Sequence, residues 1–250
     1  PMKKKRNTLI ALFVGFDKYA SMLEMTAPIN KAYARKWKQD LVVLQGTSYV
    51  LPVDKGCTPQ GRRTTLNKIS LLKEALKHND EYDQILILDT DAIVYDFDTD
   101  ISTLLPDKYM IAAHRVLVKK DPHTVQTSNI NAGVTLWNLH HNATQRITQG
   151  WHQRSKKSIE KLDFRGDQKP LQATILHDGG VPFVYSLLEE FAYGHGTVVK
   201  HFIRRKNHHN WTDPKIVDER EIMVDEAAKT ICGREPGVCD NIDRVPYASL

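Results

Sequence analysis

Residues 84–93 read QILILDTDAI, in which a short apolar run leads directly into two aspartates, Asp89 and Asp91. The run at 85–88 has the length and composition of a buried strand. Because side chains alternate between the two faces of a strand, Asp89 and Asp91 share a face and can converge on one ligand. D-x-D also occurs by chance, so the pair is either half of a cation site or two ordinary turn residues.

The segments around this strand alternate between strand and helix patterns, which predicts one α/β domain with a mixed, mostly parallel central sheet flanked by helices. Strands are predicted at 9–16, 40–46, 84–88, 109–115, 130–140 and 196–205, and helices at 19–38, 64–78, 142–155 and 167–176. Pro28 predicts a break in the first helix, and threonine is the expected N-cap of the second. We expect residues 1–8 to form a flexible tail, 9–214 the main domain and 215–250 a C-terminal extension packed on it.

The composition, with 41% hydrophobic and 26% charged residues, is typical of a globular protein. No apolar run approaches the length of about 20 residues that is needed to span a bilayer. The formal net charge of +5 comes partly from residues 3–6, which we interpret as a solvated tail and not as a nucleic-acid-binding patch. A basic surface also suits an anionic small ligand such as a diphosphate.

Two common phosphate-binding devices are missing from the sequence. No G-x-G-x-x-G follows the first predicted strand, and no G-x-x-x-x-G-K-[ST] occurs anywhere. A bound nucleotide would therefore need its charge neutralised in another way. A metal ion that bridges protein carboxylates to diphosphate oxygens is the obvious candidate.

A histidine near the end of the last predicted strand, His201, is followed by Arg204, Arg205 and Lys206. One imidazole and two carboxylates leave room for diphosphate oxygens in an octahedral shell around Mn²⁺. The three basic residues would then neutralise phosphate charge. The alternative is a histidine packed at a strand end beside a solvated basic edge.

Two further motifs carry polar side chains. Asn131 stands ahead of Ala132 and Gly133, a small pair that allows a ligand close to the backbone, and its amide can bind sugar hydroxyls. Asp167 and Gln168 begin a predicted helix, where a carboxylate either caps the helix or serves an active site. A plain Asn/Gly turn and a plain helix cap are the alternatives.

The order of these motifs resembles that of metal-dependent glycosyltransferases of the GT-A fold, over residues 9–210. The order is an apolar strand with DTD, N-x-N-A-G-V, G-D-Q, and a strand ending in H-F with a lysine five residues on. The resemblance is closest to the galactosyl- and mannosyltransferase-like family, with glycogenin-like enzymes next. It implies a nucleoside diphosphate sugar donor with a uracil base, a divalent cation (Mn²⁺ or Mg²⁺) and a glycan acceptor.

The resemblance also assigns roles to individual residues. It implies that Asp91 and His201 hold the metal, and that Asp89 contacts the metal or the ribose. Lys206 would approach the phosphates, although HFIRRKNHHNW lacks the glycine and proline of the glycogenin-like pattern. The residues implied to bind the donor elsewhere are Val14, Phe16, Tyr19, Lys68 and Gln168.

The implied reaction is transfer of the sugar to a hydroxyl, with the metal stabilising the charge on the departing diphosphate. Asn131 and Asp167 would orient the sugar, and Asp167 is the candidate base if the anomeric centre is inverted. Inversion and retention stay open. A metal-dependent nucleotidyltransferase and, lower in rank, a basic nucleic-acid-binding module are the alternative functions.

The compartment and the oligomeric state are not fixed by the sequence. Two N-x-[ST] triplets, at Asn142 and Asn210, and a possible bridge between Cys232 and Cys239 favour the Golgi or secretory lumen. That assignment requires an anchor upstream of this sequence, and the cytoplasm is the alternative.

Overall fold

The computed structural model describes residues 6–14, 19–45, 66–118, 127–161, 166–187, 189–191, 195–202, 219–234 and 248–249. The strands in these residues are β1 (Thr8–Val14), β2 (Asp40–Gln45), β3 (Gln84–Leu88), β4 (Ala92–Val94), β5 (Ile111–Val118), β6 (Thr127–Asn138), β7 (Val184–Ser186), β8 (Val199–His201) and β9 (Ala248–Ser249). The α-helices are α1 (Ala20–Trp37), α2 (Asn67–Lys77), α3 (Asn142–Glu160), α4 (Gln168–His177) and α5 (Glu219–Arg234).

Seven strands form one sheet in the order β7-β5-β6-β3-β1-β2-β9. Four neighbouring pairs are parallel, namely β1–β2, β1–β3, β2–β9 and β5–β7, and the pairs β3–β6 and β5–β6 are antiparallel. The prediction of a mixed, mostly parallel sheet is therefore confirmed. β4 and β8 form a separate antiparallel pair in which Ala92 lies opposite His201.

The central strands are apolar on both faces, as expected for a sheet that is covered by helices on both sides. Ile10 and Leu12 of β1 belong to the core shared with α1 and α5. Ala11 and Phe13 of the same strand belong to the core shared with α2, α3 and α4. The uninterrupted apolar run in β1 is thus explained by burial on both faces.

Helix α1 is continuous through Pro28, so the predicted break is wrong. A proline inside a helix removes one backbone hydrogen bond. Tertiary contacts hold the helix on both sides of it: Thr26 Oγ1 donates to the Thr90 carbonyl (2.8 Å) and Asn30 Nδ2 to the Ala92 carbonyl (3.1 Å). These buried contacts fix the geometry that the sequence pattern alone did not specify.

The threonines predicted to cap α2, at positions 64 and 65, lie outside the described residues. The N-cap position is Leu66, which makes no side-chain capping bond and is fully buried. In the described residues, the start of this helix is therefore anchored by burial of an apolar residue in the core.

The C-terminal part of the chain contributes α5 and β9. Val224, Ala227 and Ile231 of α5 are buried in the core that also contains α1, and β9 pairs with β2. Cys232 is disulfide-bonded, and both other cysteines of the chain lie outside the described residues. The predicted domain boundaries stay a prediction. None of the helices in the described part of the chain combines the length and apolar character needed to cross a bilayer.

Candidate active site

Asp89, Asp91 and His201 come together beyond the carboxyl end of β3. One potential ligand atom from each lies within 4.8 Å of the others. His201 Nε2 is 3.2 Å from Asp91 Oδ1 and 3.5 Å from Asp89 Oδ2. Two carboxylates and an imidazole form a donor set that suits a divalent cation with a preference for oxygen ligands.

Backbone hydrogen bonds fix the turn that carries the two aspartates. Asp89 N donates to the Gly133 carbonyl (2.7 Å), and Phe202 N donates to the Asp91 carbonyl (2.9 Å). Thr90, between the aspartates, donates from Oγ1 to the Phe13 carbonyl (2.7 Å). The turn is thus tied to β1, β6 and the end of β8 at once.

The segment of β6 that faces the aspartates is irregular. Ala113 of β5 pairs with Thr135 and Arg115 pairs with Ile130, so the four residues at 131–134 lie opposite a single residue of β5. A bulge of this kind redirects side chains and is common beside functional sites. Here it brings Asn131 to His201 and Gly133 to Asp89.

Gly133 makes room for the imidazole. A Cβ at this position would lie 2.1 Å from His201 Cε1 and 2.6 Å from Asp89 Oδ2. The small Ala132–Gly133 pair predicts a ligand close to the backbone at this point. In the structure, the space at Gly133 is taken by the His201 ring.

Asn131 is buried and contacts His201 directly. Its Oδ1 accepts from Gly133 N (2.8 Å), and its Nδ2 lies 3.0 Å from His201 Nδ1. An amide nitrogen can only donate a hydrogen bond, so Asn131 Nδ2 donates to the lone pair of His201 Nδ1. In a neutral imidazole the ring proton is then on Nε2, which faces the carboxylates. Burial opposes the charged ring, but Asp91 and Asp89 outweigh burial and raise the pKa of His201.

Lys68 is a buried ammonium that joins two carboxylates. Its Nζ is 2.9 Å from Asp89 Oδ1 and 2.8 Å from Asp167 Oδ2. Burial alone would lower the pKa of Lys68, but Asp167 and Asp89 outweigh it and raise this pKa above its ordinary value. Burial raises the pKa of Asp89 in spite of the Lys68 charge.

Asp167 occupies the N-cap position of α4 without making a side-chain capping bond. Its carboxylate pairs with Lys68 instead, so the simple capping interpretation is wrong. Gln168 Oε1 accepts a long hydrogen bond from Ala132 N (3.4 Å). Gln168 therefore lies beside the segment that carries Asn131, and Asp167 lies beside Lys68.

Arg220 of α5 is a site residue that the sequence analysis missed. Its Nη1 is 2.5 Å from Asp91 Oδ2, and its side chain is 6% exposed. Burial favours the neutral form of Asp91, yet His201 and Arg220 together hold the pKa of Asp91 below its usual range. Arg220 is 129 positions away from Asp91 in the chain, so no local sequence motif could connect the two residues.

The remaining predicted donor-binding residues are only partly described. Tyr19 precedes α1 and is half-buried, with its ring centroid 5.4 Å from Arg220 Cζ. Val14 ends β1, but its side chain is outside the description. The predicted residues that lie entirely outside the described part of the chain are Phe16, Arg204, Arg205 and Lys206.

Two solved structures share this fold over most of the chain. A glycosyltransferase involved in the glycosylation of the major capsid of PBCV-1 is 12% identical, with 88% of this chain and 99% of that chain covered and a TM-score of 0.54. The glycosyltransferase GlyE of Streptococcus pneumoniae TIGR4 is 17% identical, with 99% of this chain and 66% of that chain covered and a TM-score of 0.53. Neither a protein-family model nor a curated protein matches the sequence.

The fold of this chain is the GT-A fold of glycosyltransferases, as the order of its motifs predicted. The particular family within this fold stays a prediction.

Proposed function

We propose that this chain is a metal-dependent glycosyltransferase that moves a sugar from a UDP-sugar to a hydroxyl of a glycan acceptor. The observation that carries the proposal is the cluster of Asp89, Asp91 and His201, with ligand atoms within 4.8 Å of one another, at the carboxyl end of a central strand. Ligands of open α/β sheets bind at this edge.

The donor set fits Mn²⁺ or Mg²⁺, because it offers two carboxylates and one imidazole whose Nε2 faces them. A bound divalent cation would stabilise the negative charge that develops on the diphosphate as the sugar leaves. His201 must then give up its Nε2 proton and carry the ring proton on Nδ1. Asn131 would then have to turn its amide oxygen toward the ring and lose the hydrogen bond that this oxygen accepts from Gly133 N.

Asp167 and Lys68 are proposed to position the donor. The Asp167 carboxylate is paired at 2.8 Å with the buried ammonium of Lys68, so a charge-assisted contact holds it in one orientation. This pairing favours an orienting role for Asp167 over the role of general base. Lys68 would hold Asp89 and Asp167 at a fixed separation.

Thermal unfolding with nucleoside diphosphates tests the proposal. A ligand that binds only the folded state stabilises it by about 2.7 kcal/mol at a concentration of 100 times its Kd. We expect UDP with Mn²⁺ to raise Tm strongly, UDP alone or GDP with Mn²⁺ to raise it little, and Asp91→Asn to abolish the metal-dependent part.

The control is Asp98→Asn, which removes an exposed carboxylate that pairs with Lys36. This variant should respond to UDP and Mn²⁺ like the wild type. An unchanged metal-dependent shift in Asp91→Asn would overturn the assignment of the metal site.

Product analysis separates sugar transfer from nucleotidyl transfer, which also uses paired aspartates. A glycosyltransferase releases an intact nucleoside diphosphate, whereas a nucleotidyltransferase releases pyrophosphate. Mass spectrometry of the reaction with a UDP-sugar should therefore show UDP. Release of the sugar 1-phosphate from the UDP-sugar, or of pyrophosphate in a separate reaction with UTP, would favour the alternative.

A further inference from the structure

The candidate metal centre already contains two buried cations of the protein. Lys68 lies between Asp89 and Asp167, and Arg220 lies against the outer oxygen of Asp91. Lys68 is 2% exposed and Arg220 is 5% exposed, so water screens neither charge well.

These cations offset most of the negative charge that would attract a metal ion. Two carboxylates of the candidate metal centre and that of Asp167 carry three negative charges, and Lys68 and Arg220 supply two positive ones. With a neutral His201, one negative charge remains. A divalent cation alone would turn this balance positive, which is unfavourable in a buried site. A diphosphate that arrives with the ion would restore the balance.

The position of Arg220 is fixed by packing, so its charge stays beside Asp91. Its Cζ lies 5.4 Å from the centroid of the Tyr19 ring. The helix that carries it is anchored by the buried side chains of Val224 and Ile231. Arg220 contacts Asp91 Oδ2, whereas Oδ1 faces His201, so the guanidinium leaves the ligand oxygen in place.

We propose that Arg220 weakens the binding of a free divalent cation and thereby makes metal binding depend on the diphosphate of the donor. The inference rests on the proposed function, because it takes Asp89, Asp91 and His201 as the metal ligands. It gives α5 a part in donor binding. The metal ion and the nucleotide bind together, and each binds only weakly without the other.

The test compares the Mn²⁺ affinity of wild type, Arg220→Gln and Arg220→Lys, each with and without UDP, by electron paramagnetic resonance of unbound Mn²⁺. Glutamine keeps an N–H donor for Asp91 but removes the charge, and lysine keeps the charge. Without UDP, we expect Arg220→Gln to bind Mn²⁺ about tenfold more tightly than wild type, because one like charge is gone. Arg220→Lys should bind Mn²⁺ as weakly as wild type.

With UDP present, the enhancement of Mn²⁺ binding should be large for wild type and Arg220→Lys and about tenfold smaller for Arg220→Gln. Arg220→Met is a second neutral variant if the glutamine variant does not fold, as judged by near-ultraviolet circular dichroism. A merely structural Arg220 would give weaker Mn²⁺ binding in both neutral variants, because Asp91 would be misplaced.

Two results would overturn the inference: neutral variants that bind Mn²⁺ no more tightly than wild type, or a lysine variant that behaves like the glutamine variant. The proposed function fails in a different way. If wild type binds no Mn²⁺ even with UDP, the metal site itself is wrong. If wild type binds Mn²⁺ with UDP but the neutral variants are not tighter, only the role of Arg220 is wrong.

Discussion

At the scale of single residues, Gly133 sets how closely the imidazole of His201 approaches Asp89. Its backbone also participates directly, since its carbonyl accepts from Asp89 N and its N–H donates to Asn131. A side chain at this position would occupy the place of the His201 ring. The candidate metal centre therefore requires a residue without a Cβ at position 133.

We expect Gly133→Ala to lower the free energy of unfolding by about 1–3 kcal/mol, because the added methyl group overpacks a buried site. It should also abolish the Tm increase produced by UDP with Mn²⁺. Urea denaturation and thermal unfolding measure the two effects.

The matched control is Gly233→Ala in α5, where a Cβ would meet no atom within 4 Å. Alanine favours a helix over glycine by up to about 1 kcal/mol, so this variant should be neutral or slightly stabilised. A Gly133→Ala protein with native stability and metal response would contradict the packing around His201.

Residue chemistry made much of this site predictable. Asp89, Asp91 and His201 are the side-chain types that bind divalent cations, and a carboxylate pair after an apolar strand is a recognisable local signal. Arg220 could not be predicted in this way, because it belongs to the site only through the packing of α5. Asp167 was identified, but its partner Lys68 and not the helix end decides what its carboxylate does.

At the scale of elements, α1 holds the short strand β4 in place. Asn30 is fully buried, and its side chain donates to the Ala92 carbonyl and accepts from Val94 N (2.9 Å). Since Ala92 pairs with His201, Asn30 supports the strand pair that presents the imidazole.

Asn30→Leu should lower the free energy of unfolding by about 2–3 kcal/mol, because it leaves a buried backbone donor and acceptor without partners. Denaturation in urea measures this cost, and the response to UDP with Mn²⁺ should weaken with it. Glu24→Ala, at an exposed position of the same helix, is the control and should leave stability nearly unchanged. Equal stabilities of the two variants would show that Asn30 does not anchor β4.

Some helices and strands were easier to predict from the sequence than others. The central strands were predictable, because burial on both faces requires uninterrupted apolar runs. The continuity of α1 through Pro28 was not, because tertiary contacts outweighed the local signal of the proline.

At the scale of the whole molecule, α5 connects the C-terminal part of the chain to the candidate metal centre. Ile231 is 2% exposed and packs in the core that contains α1, whereas Ile222 of the same helix is 51% exposed. The burial of this helix and the contact between Arg220 and Asp91 indicate that α5 unfolds together with the sheet.

We expect Ile231→Ala to lower the free energy of unfolding by about 2–4 kcal/mol, because it leaves a cavity in the core. Calorimetry should show one transition that moves as a whole to lower temperature. Ile222→Ala is the matched control and should leave Tm nearly unchanged. A separate low-temperature transition in Ile231→Ala would mean that α5 docks on the main domain as an independent unit.

The sequence by itself determined the class of fold and showed which strand ends carry the candidate metal ligands. Apolar periodicity and strand-end carboxylates are local properties of the chain, so both can be recognised without the tertiary structure. The tertiary structure alone decided the charge balance of the site. Lys68 pairs with two carboxylates, and Arg220 reaches a third from a distant helix. Electrostatic interactions depend on distance in space and on burial, and neither quantity can be read from separation along the chain.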